Sequence, residues 1–569
     1  MLVLGITNND LAGACLLRDS EIVAAASEER FTRVKEHKTW PELAIDFVLA
    51  EGGVSLADLD HVAYGWHAGF DAERHLLLYV ERVADEAARR PEGLPHIRKR
   101  ISDEMANDLA KRAEFDEFAE RYGLRDKVVL VDHHESHGVG AFVCSPFDDA
   151  LVVTCDGRGD FQSLTISFVS AGEERVLQRE TSVDSLGYFY GRITRLLGFR
   201  PNRHEGKITG LAANGDPERL LPLMRRMIDM EDGRLRARCG DYYQPSYDTY
   251  SDVLLEAIAA EPPADVAAAA QRHLENLLTE LVTTHIAQVP TSNVCLGGGV
   301  FGNVKLNQRI LECPGVDNIY VIPPMGDGGL PLHSAAVVAY RKGRHRYDAP
   351  SMALGPGSTI DDDALAALVR SYSSLRFTRS DDPQGTLLKA LEDNRVIGLY
   401  RGRMEFGPRA LGRRSIVYRT DDPSMNDWLN QRLKRTEFMP FAPITADVHA
   451  ASCYVGWRPD HAAARFMTLT YDCTPEFAES CPAVVHVDGT ARPQVVRYED
   501  DPFLHGVLLS WHDRTGQAAL VNTSFNKHEE PIVGSPRDAL DAVADGVVDL
   551  LLVDDQYFVW ADDAVSPVV

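Results

Sequence analysis

The chain has 569 residues, 44% of them hydrophobic, with 59 Lys and Arg against 85 Asp and Glu, a net charge of −26. That length exceeds one ordinary core and predicts two domains of a few hundred residues, and so acidic a surface excludes wholesale binding of nucleic acid or an anionic membrane. The nine cysteines are scattered and never spaced C-x-x-C, which excludes a disulfide framework and a thiolate metal site, suits a reducing cytosol and predicts a cytoplasmic protein.

Met1–Ile6 reads as a first strand rather than a leader, and no uncharged apolar run approaches the ~18 residues of a membrane span. Residues 2–6, 14–17 and 22–26 give strand, loop, strand, turn, strand. The plan recurs at 150–155, 164–169 and 175–178, a weak internal repeat that any β-meander could also produce. Between the two lie a helix over 41–51 and a charge-rich stretch, 71–121, whose charges read as solvated helix faces.

The apolar run Val128–Val131 predicts a strand, followed by His133-His134-Glu135-Ser136-His137. A helix starting there puts His133 and His137 at i, i+4 on one face, a spacing that suits two imidazoles on one metal. The alternative is a plain surface or capping histidine cluster, and Gly138 and Gly140 each weaken a helix by roughly 1 kcal/mol relative to Ala. Asp156 and Asp327 each stand just past a predicted strand, where ligands gather in open α/β sheets. Two histidines with two carboxylates would make a mixed N/O site for iron, manganese or zinc.

Further along, 185–190 and 204–214 are dense in small residues and hold Gly206, Lys207 and Gly210, while 265–288 reads as a long core helix. A strand at 292–296 leads into Gly297-Gly298-Gly299 and on to Asn303, the layout of a nucleotide-binding turn without a recognised fingerprint. The breaker-rich, basic segment 341–357 predicts a linker, and αβ patterning restarts with a helix over 361–371 and a strand over 396–399. From Arg401 to Arg435 there are nine Lys or Arg against four acids. A phosphate-rich ligand would explain that cluster, and so would pairing with the protein's own carboxylates.

Several stretches, in order over nearly the whole chain, resemble the O-carbamoyltransferases of antibiotic and nodulation-factor biosynthesis. They are Glu28-Glu-Arg-Phe-Thr-Arg33 with Lys35, His133-His-x-x-His137, Gly206-Lys207 through Ala213, Gly298-Gly-Val300 with Asn303, Gly407-Pro-Arg-Ala-Leu-Gly412, Pro440-Phe-Ala-Pro443, and Asn522-Thr-Ser-Phe-Asn526 with Glu530-Pro-Ile532.

The resemblance implies an α/β protein with a duplicated, actin-like (sugar-kinase-type) domain over 1–345, a linker over 346–360 and a YrdC-like domain over 361–569. The second domain would form carbamoyladenylate from ATP, with Mg2+, and carbamoyl phosphate; the first would pass the carbamoyl group to a hydroxyl of a small natural product. By position, His133, His137, Asp156 and Asp327 would hold a divalent metal, Fe2+ first. Lys35 would be catalytic, and Gly206, Lys207, Gly210, Gly298, Gly299 and Asn303 would hold the adenylate. Arg409, Lys434, Arg492, Asn522, Ser524 and Asn526 would hold ATP and carbamoyl phosphate. No nucleic acid or membrane partner is implied, and a homodimer is allowed.

Two departures stand out. Asp10-Leu-Ala-Gly13 replaces the family's usual His-Asp-Ala-Ser, leaving Asp10 as the substitute general base, and Met439 stands where some members have an arginine, with Arg432 or Arg435 as replacements. The alternatives are a threonylcarbamoyl tRNA-modifying enzyme, which would need a basic RNA face, and a non-enzymatic actin-like regulator.

Overall fold

The structure is a computed structural model that describes residues 1–9, 11–67, 71–171, 173–246, 250–358, 360–434 and 440–562. Contacts divide the chain into two compact units, one of residues 1–23, 38–41 and 48–350, the other of 24–37, 42–47 and 351–569.

In the first unit, β1 (Leu2–Thr7), β2 (Gly13–Arg18), β3 (Glu21–Ser27), β4 (His61–Tyr64) and β5 (Val128–Leu130) form a sheet of order β3-β2-β1-β4-β5. Strand β1 runs antiparallel to β2 and parallel to β4. A further sheet has β6 (Asp149–Gly159), β7 (Gln162–Ser170), β8 (Glu173–Thr181), β11 (Asn293–Gly297) and β12 (Asn318–Val321) in the order β8-β7-β6-β11-β12. Here too the first strand pairs antiparallel with the second and parallel with the fourth. The repeat read from three strands therefore extends to five. A small hairpin of β9 (Ile228–Glu231) and β10 (Arg234–Ala237) stands apart.

Eight helices of the first unit bear on the site and its surroundings: α1 (Ala72–Arg89), α2 (Leu94–Arg121), α3 (His133–Val143), α4 (Leu186–Leu196), α5 (Glu205–Ala212), α6 (Pro263–Ile286), α7 (Val304–Leu311) and α8 (Leu330–Gly343); the second unit has α9 (Pro383–Glu392) and α10 (Pro502–Thr515) in its own core. The two repeats exchange helices. Helix α3 follows β5 but packs on β6, β7 and β11, whereas α8 follows β12 but packs on β1, β2 and β4, and the two helices pack on each other. Burial on both faces explains why β1 and β6 read as near-continuous apolar runs.

Two expectations are corrected by the fold. Of residues 156–160, expected as a loop, 156–159 belong to β6, whose register shifts between Cys155 and Gly159; such a bulge re-aims a side chain without ending the strand. In 71–121, charges expected in solvent are partly inside: Arg82, Glu86, Arg100, Glu104 and Asp108 are all buried.

The second unit is built on a mixed sheet of β13 (Leu375–Arg379), β14 (Ile397–Tyr400), β15 (Arg414–Tyr418), β16 (Ala442–Ala446), β19 (Gln494–Val496), β20 (Ala519–Ser524), β21 (Leu550–Val553) and β22 (Tyr557–Ala561), with β17 (Tyr471–Asp472) and β18 (Thr490–Ala491) as a separate pair. The order is β13-β22-β21-β14-β15-β20-β16-β19. Leu391 of α9 and Leu504, Val507 and Trp511 of α10 close its core over Leu399, Ile444 and Leu520. Residues 24–37, assigned from sequence to the first domain, belong with this unit. Arg33 donates to the carbonyls of Pro531 and Ile532, at 2.9 and 2.6 Å, and Arg30 to that of Gly407 at 2.8 Å. Glu28 in turn accepts from the amides of Leu43 and Ala44. The Glu-Glu-Arg-Phe-Thr-Arg motif is thus a brace: Glu28, Arg30 and Arg33 hold backbone groups, and Glu29 pairs with Arg30 at 3.2 Å.

Candidate active site

Helix α3 begins at His133 because Asp132 caps it, the Asp132 carboxylate accepting from the amide of Glu135 at 3.0 Å. Its glycines, unfavourable for the helix alone, are needed for approach. A Cβ at Gly138 would lie 2.9 Å from Val152 and Thr154, and one at Gly140 would lie 2.9 Å from the His333 Cβ. Asp160 anchors the same turn, accepting from the amides of His133 at 2.8 Å and His67 at 2.9 Å.

His133 and His137 are fully buried, one turn apart. Nε2 of His133 lies 3.7 Å from Asp156 Oδ2 and 3.6 Å from Asp327 Oδ1, and Nε2 of His137 lies 3.5 Å from each. These separations exceed a good hydrogen bond. They match the edges of a polyhedron whose ligands sit about 2.0–2.2 Å from one shared ion. Both Nε2 atoms are buried without a hydrogen-bond partner, and the four ligand atoms all lie within 4.8 Å of one another. A buried pair of orphaned imidazole nitrogens facing two carboxylates fits a divalent cation.

The electrostatics agree. Burial opposes a charge on His133, but Asp327 and Asp156 outweigh it and push its pKa up to about 9. Without a cation, a proton takes its place. His134 points elsewhere, its Nδ1 2.8 Å from Thr154 Oγ1, and burial together with the neighbouring His133 pushes its pKa down to about 3. Asp156 is held on both oxygens, Oδ1 accepting from the Gly157 amide at 2.7 Å and Oδ2 from the Gly299 amide at 3.0 Å. His333 was not singled out by sequence. From α8 its Nδ1 meets His137 Nδ1 at 3.2 Å, a contact between helices 196 residues apart that no local pattern announces.

Around this centre, Gly298 has φ +100°, and a Cβ there would lie 2.4 Å from the Cys155 carbonyl oxygen; the glycine turn must lie against β6. Gly206, Lys207 and Gly210 fall on α5, with Lys207 buried. Asn303 caps α7, accepting from the Leu306 amide, and exchanges hydrogen bonds with Gln271. Gln271 also accepts from Tyr190, whose hydroxyl lies 3.1 Å from Thr209 Oγ1. This network joins α4, α5, α6 and α7, and it spends the Asn303 amide on the fold.

Asp10, Arg435 and Met439 lie outside the described residues. Lys35, expected in the first domain, belongs to the second unit, its Nζ 3.6 Å from Glu29.

In the second unit the loop 402–413 is built around Glu405, a buried carboxylate that accepts from the amides of Leu411 at 2.5 Å, Arg413 at 2.9 Å and Arg414 at 3.2 Å. From the other side, Asn522 donates to the Ala410 carbonyl and to Gln494, which donates to the Leu411 carbonyl. Asn526 holds its own turn through the carbonyls of Lys527 and Glu530. Arg409 is half-buried between Gly407 and Gly412, Lys434 is exposed, and Arg492 and Ser524 are half-buried.

Most of the basic cluster is spoken for within the protein. Arg401 pairs with Asp501 and Asp555, Arg403 with the carbonyls of Leu354 and Gly355, Arg413 with Asp501, and Arg419 with Asp421. Arg432, considered as a stand-in at Met439, pairs with Asp549 at 2.6 Å and donates to the Gly546 carbonyl. Of the two explanations for the cluster, pairing with the protein's own carboxylates accounts for Arg401, Arg413, Arg419 and Arg432, while backbone carbonyls hold Arg403.

The model of the carbamoyltransferase N-terminus matches residues 3–336, and that of the carbamoyltransferase C-terminus residues 388–559. Nodulation protein NolNO of Sinorhizobium fredii is 29% identical over 95% of this chain and 76% of its own length. Nodulation protein NolO of Bradyrhizobium diazoefficiens is 32% identical over 74% of this chain and 78% of its own. Among solved structures, component A of the (R)-2-hydroxyglutaryl-CoA dehydratase of Acidaminococcus fermentans aligns with 60% of this chain and 98% of its own, at 15% identity and a TM-score of 0.33. No helix among the described residues is long and apolar enough to cross a membrane. With the orphaned histidine pair and its carboxylates lying inside the first of two consecutive family matches, the chain belongs to the carbamoyltransferase family and is an enzyme of that family.

Proposed function

We propose that this enzyme is an ATP- and carbamoyl-phosphate-dependent O-carbamoyltransferase that works in two half-reactions. In the second unit, taken as the YrdC-like half, the carbamoyl group is joined through oxygen to the α-phosphate of ATP. Pyrophosphate leaves, and balance requires one water in and the phosphate of carbamoyl phosphate out. In the first unit, taken as the actin-like half, the acceptor oxygen attacks the carbamoyl carbon, the bond to AMP breaks with its electron pair on AMP, and the hydroxyl proton passes to a base, with Asp10 as the candidate.

The observation that carries this reading is the convergence of His133, His137, Asp156 and Asp327 within residues matched to the carbamoyltransferase N-terminus. Those four would hold a divalent metal, Fe2+ in our reading, whose chemistry is to polarise the carbonyl or the attacking oxygen. The protein supplies preorganisation: α3 is capped and anchored, Asp156 is clamped by two amides, and His333 meets the far nitrogen of His137. In the second unit the loop around Arg409 is held by Glu405, Asn522 and Gln494, so its arginine can be presented to phosphate at little cost in ordering. The acceptor is a hydroxyl-bearing small molecule, and the net charge of −26 speaks against RNA.

The test is carbamoyl-phosphate-dependent exchange of labelled pyrophosphate into ATP. Exchange that needs carbamoyl phosphate supports the reading. Exchange that ignores carbamoyl phosphate, or release of ADP in place of pyrophosphate, would sink it.

A further inference from the structure

The two histidines of the centre are supported in different ways. His133 is held by packing: its ring meets that of Trp66 edge to face, with centroids 4.3 Å apart, and a Cβ on Gly159 would lie 2.0 Å from its Cδ2. Its Nδ1, like its Nε2, is buried with no hydrogen-bond partner. His137 differs. Its Nε2 faces the carboxylates of Asp156 and Asp327, and its Nδ1 lies 3.2 Å from Nδ1 of His333, a wholly buried residue of α8.

A contact between two ring nitrogens at that distance admits one arrangement of hydrogens. One nitrogen carries the hydrogen and the other offers a lone pair, because two N–H groups would repel and two lone pairs would leave both buried nitrogens unsatisfied. An imidazole that gives its Nε2 lone pair to a cation carries its hydrogen on Nδ1. His137 is then the donor and His333 the acceptor, so the hydrogen of a neutral His333 sits on Nε2. On that side stands the Pro324 carbonyl, which favours a proton on the ring. A Cβ on Gly329 would lie 2.1 Å from that carbonyl oxygen and 2.5 Å from Nε2.

The chain makes room for the His333 ring at two glycines. A Cβ on Gly140 of α3 would lie 2.9 Å from the His333 Cβ, and one on Gly329 would lie 2.4 Å from its Cε1. Gly140 lies inside a helix, where glycine costs about 1 kcal/mol relative to Ala. Gly329 has φ −89°, open to any residue, so space rather than conformation calls for glycine there. A leucine at 333 would fill the gap between α3 and α8 without placing a polar ring inside, and burying that ring is costly unless it is bonded. The same stretch of chain also supplies a ligand: the turn Asp327–Gly329 runs straight into α8. One segment thus brings a carboxylate to one side of His137 and an acceptor to the other.

We infer that His333 is a positioning residue for the metal centre: it accepts the hydrogen of His137 Nδ1 and so fixes the tautomer and ring orientation in which His137 offers Nε2 to the ion. A partner on the far nitrogen also raises the basicity of the ligand. The inference rests on the metal reading proposed above. It makes His137 the firmer of the two histidine ligands, since His133 has no such acceptor among the described residues.

The test uses the full chain and Co2+ as the probe, in wild type, His137→Ala, His333→Asn, His333→Leu and His333→Gln. Co2+ affinity is measured by chelator competition, beside the Co2+ absorption spectrum and the melting temperature of the metal-free protein. Asn and Leu have nearly the same shape and leave the same space, but only Asn keeps a polar atom where Nδ1 stood. His333→Asn should bind Co2+ within about threefold of wild type and keep its spectrum, whereas His333→Leu should bind about 10–100-fold more weakly with shifted bands. Gln sets its amide nearer the Nε2 position and should bind as weakly as Leu, which keeps the test in force if the Leu variant does not fold. Wild-type affinity in His333→Leu or His333→Gln, or equal losses in the Asn and Leu variants, overturns the inference, the second outcome assigning His333 to packing alone. A wild type that binds no Co2+, or binds it equally well without His137, overturns the metal reading and the inference with it. Co2+ binding that needs His137 but ignores His333 overturns the inference alone.

Discussion

As strings of letters, the histidine–aspartate centre of the first unit and the arginine-rich loop of the second are equally suggestive of function, yet the structure treats their side chains in opposite ways. In the first, buried ring nitrogens are left without partners and face two carboxylates. Across the basic cluster around the loop, Arg401, Arg403, Arg413, Arg419 and Arg432 are satisfied by the protein's own carboxylates and carbonyls. Local charge excess is therefore poor evidence for a ligand, because an acidic chain has ample anions of its own. Buried polar atoms with nothing to bond are better evidence, since leaving them so costs about 1–3 kcal/mol each.

The largest expected effect breaks the first half of the comparison. His133→Ala and His137→Ala should each lower metal affinity by two orders of magnitude or more on metal analysis, whereas His134→Gln, whose ring faces Thr154, should keep its metal. A metal lost with His134 but kept without His137 would reverse the assignment.

In the other half, Glu405 should matter more than the arginines around it. Glu405→Ala leaves the amides of Leu411, Arg413 and Arg414 without an acceptor. That should cost on the order of 3 kcal/mol in denaturant unfolding and remove pyrophosphate exchange. Arg409→Ala and Lys434→Ala should reduce exchange by more than about tenfold without that loss of stability. A stable, fully active Glu405→Ala would show that the loop is held by something else.

The proton on His133 sharpens the metal half. Its pKa of about 9 lies above the ordinary 6.5, and a metal takes only the neutral ring. Apparent metal affinity should thus climb about tenfold per pH unit towards pH 9 and then level off. The linked stability has the corresponding sign: in metal-free protein the contribution of His133 is full below pH 6.5 and lost as pH rises through about 9. Competition titrations that stay flat over that range would place the proton elsewhere. The smallest effect is expected at Arg419→Ala. Its partly exposed pair with Asp421 should be worth no more than about 1 kcal/mol, with exchange at the wild-type rate.

What was legible in the sequence was mostly local. A strand and an i, i+4 pair mark α3 and its two histidines within ten residues, and the repeat leaves its trace in three hydrophobic runs per copy. What was hidden depended on distant partners. The bulge that keeps Asp156 inside β6 arises from pairing with β7. His333 reaches His137 from 196 residues away, and the brace of Arg30 and Arg33 acts on carbonyls of Gly407 and Ile532, hundreds of residues along the chain. The buried charges of helices α1 and α2 were unreadable for the same reason. Their periodicity is plain, but which face is inside depends on Asp184, Ser182 and Arg158, charged or polar groups that come from β6 and the chain after β8.

The most direct measurement runs both half-reactions on the same preparations of His137→Ala and Arg409→Ala: pyrophosphate exchange into ATP, and carbamoyl transfer from separately made carbamoyladenylate to an acceptor hydroxyl. The expected result is crossed, with exchange kept and transfer lost in His137→Ala, and exchange lost and transfer kept in Arg409→Ala. Loss of both activities in either variant, or of the same one in both, would contradict the division of labour between the two units.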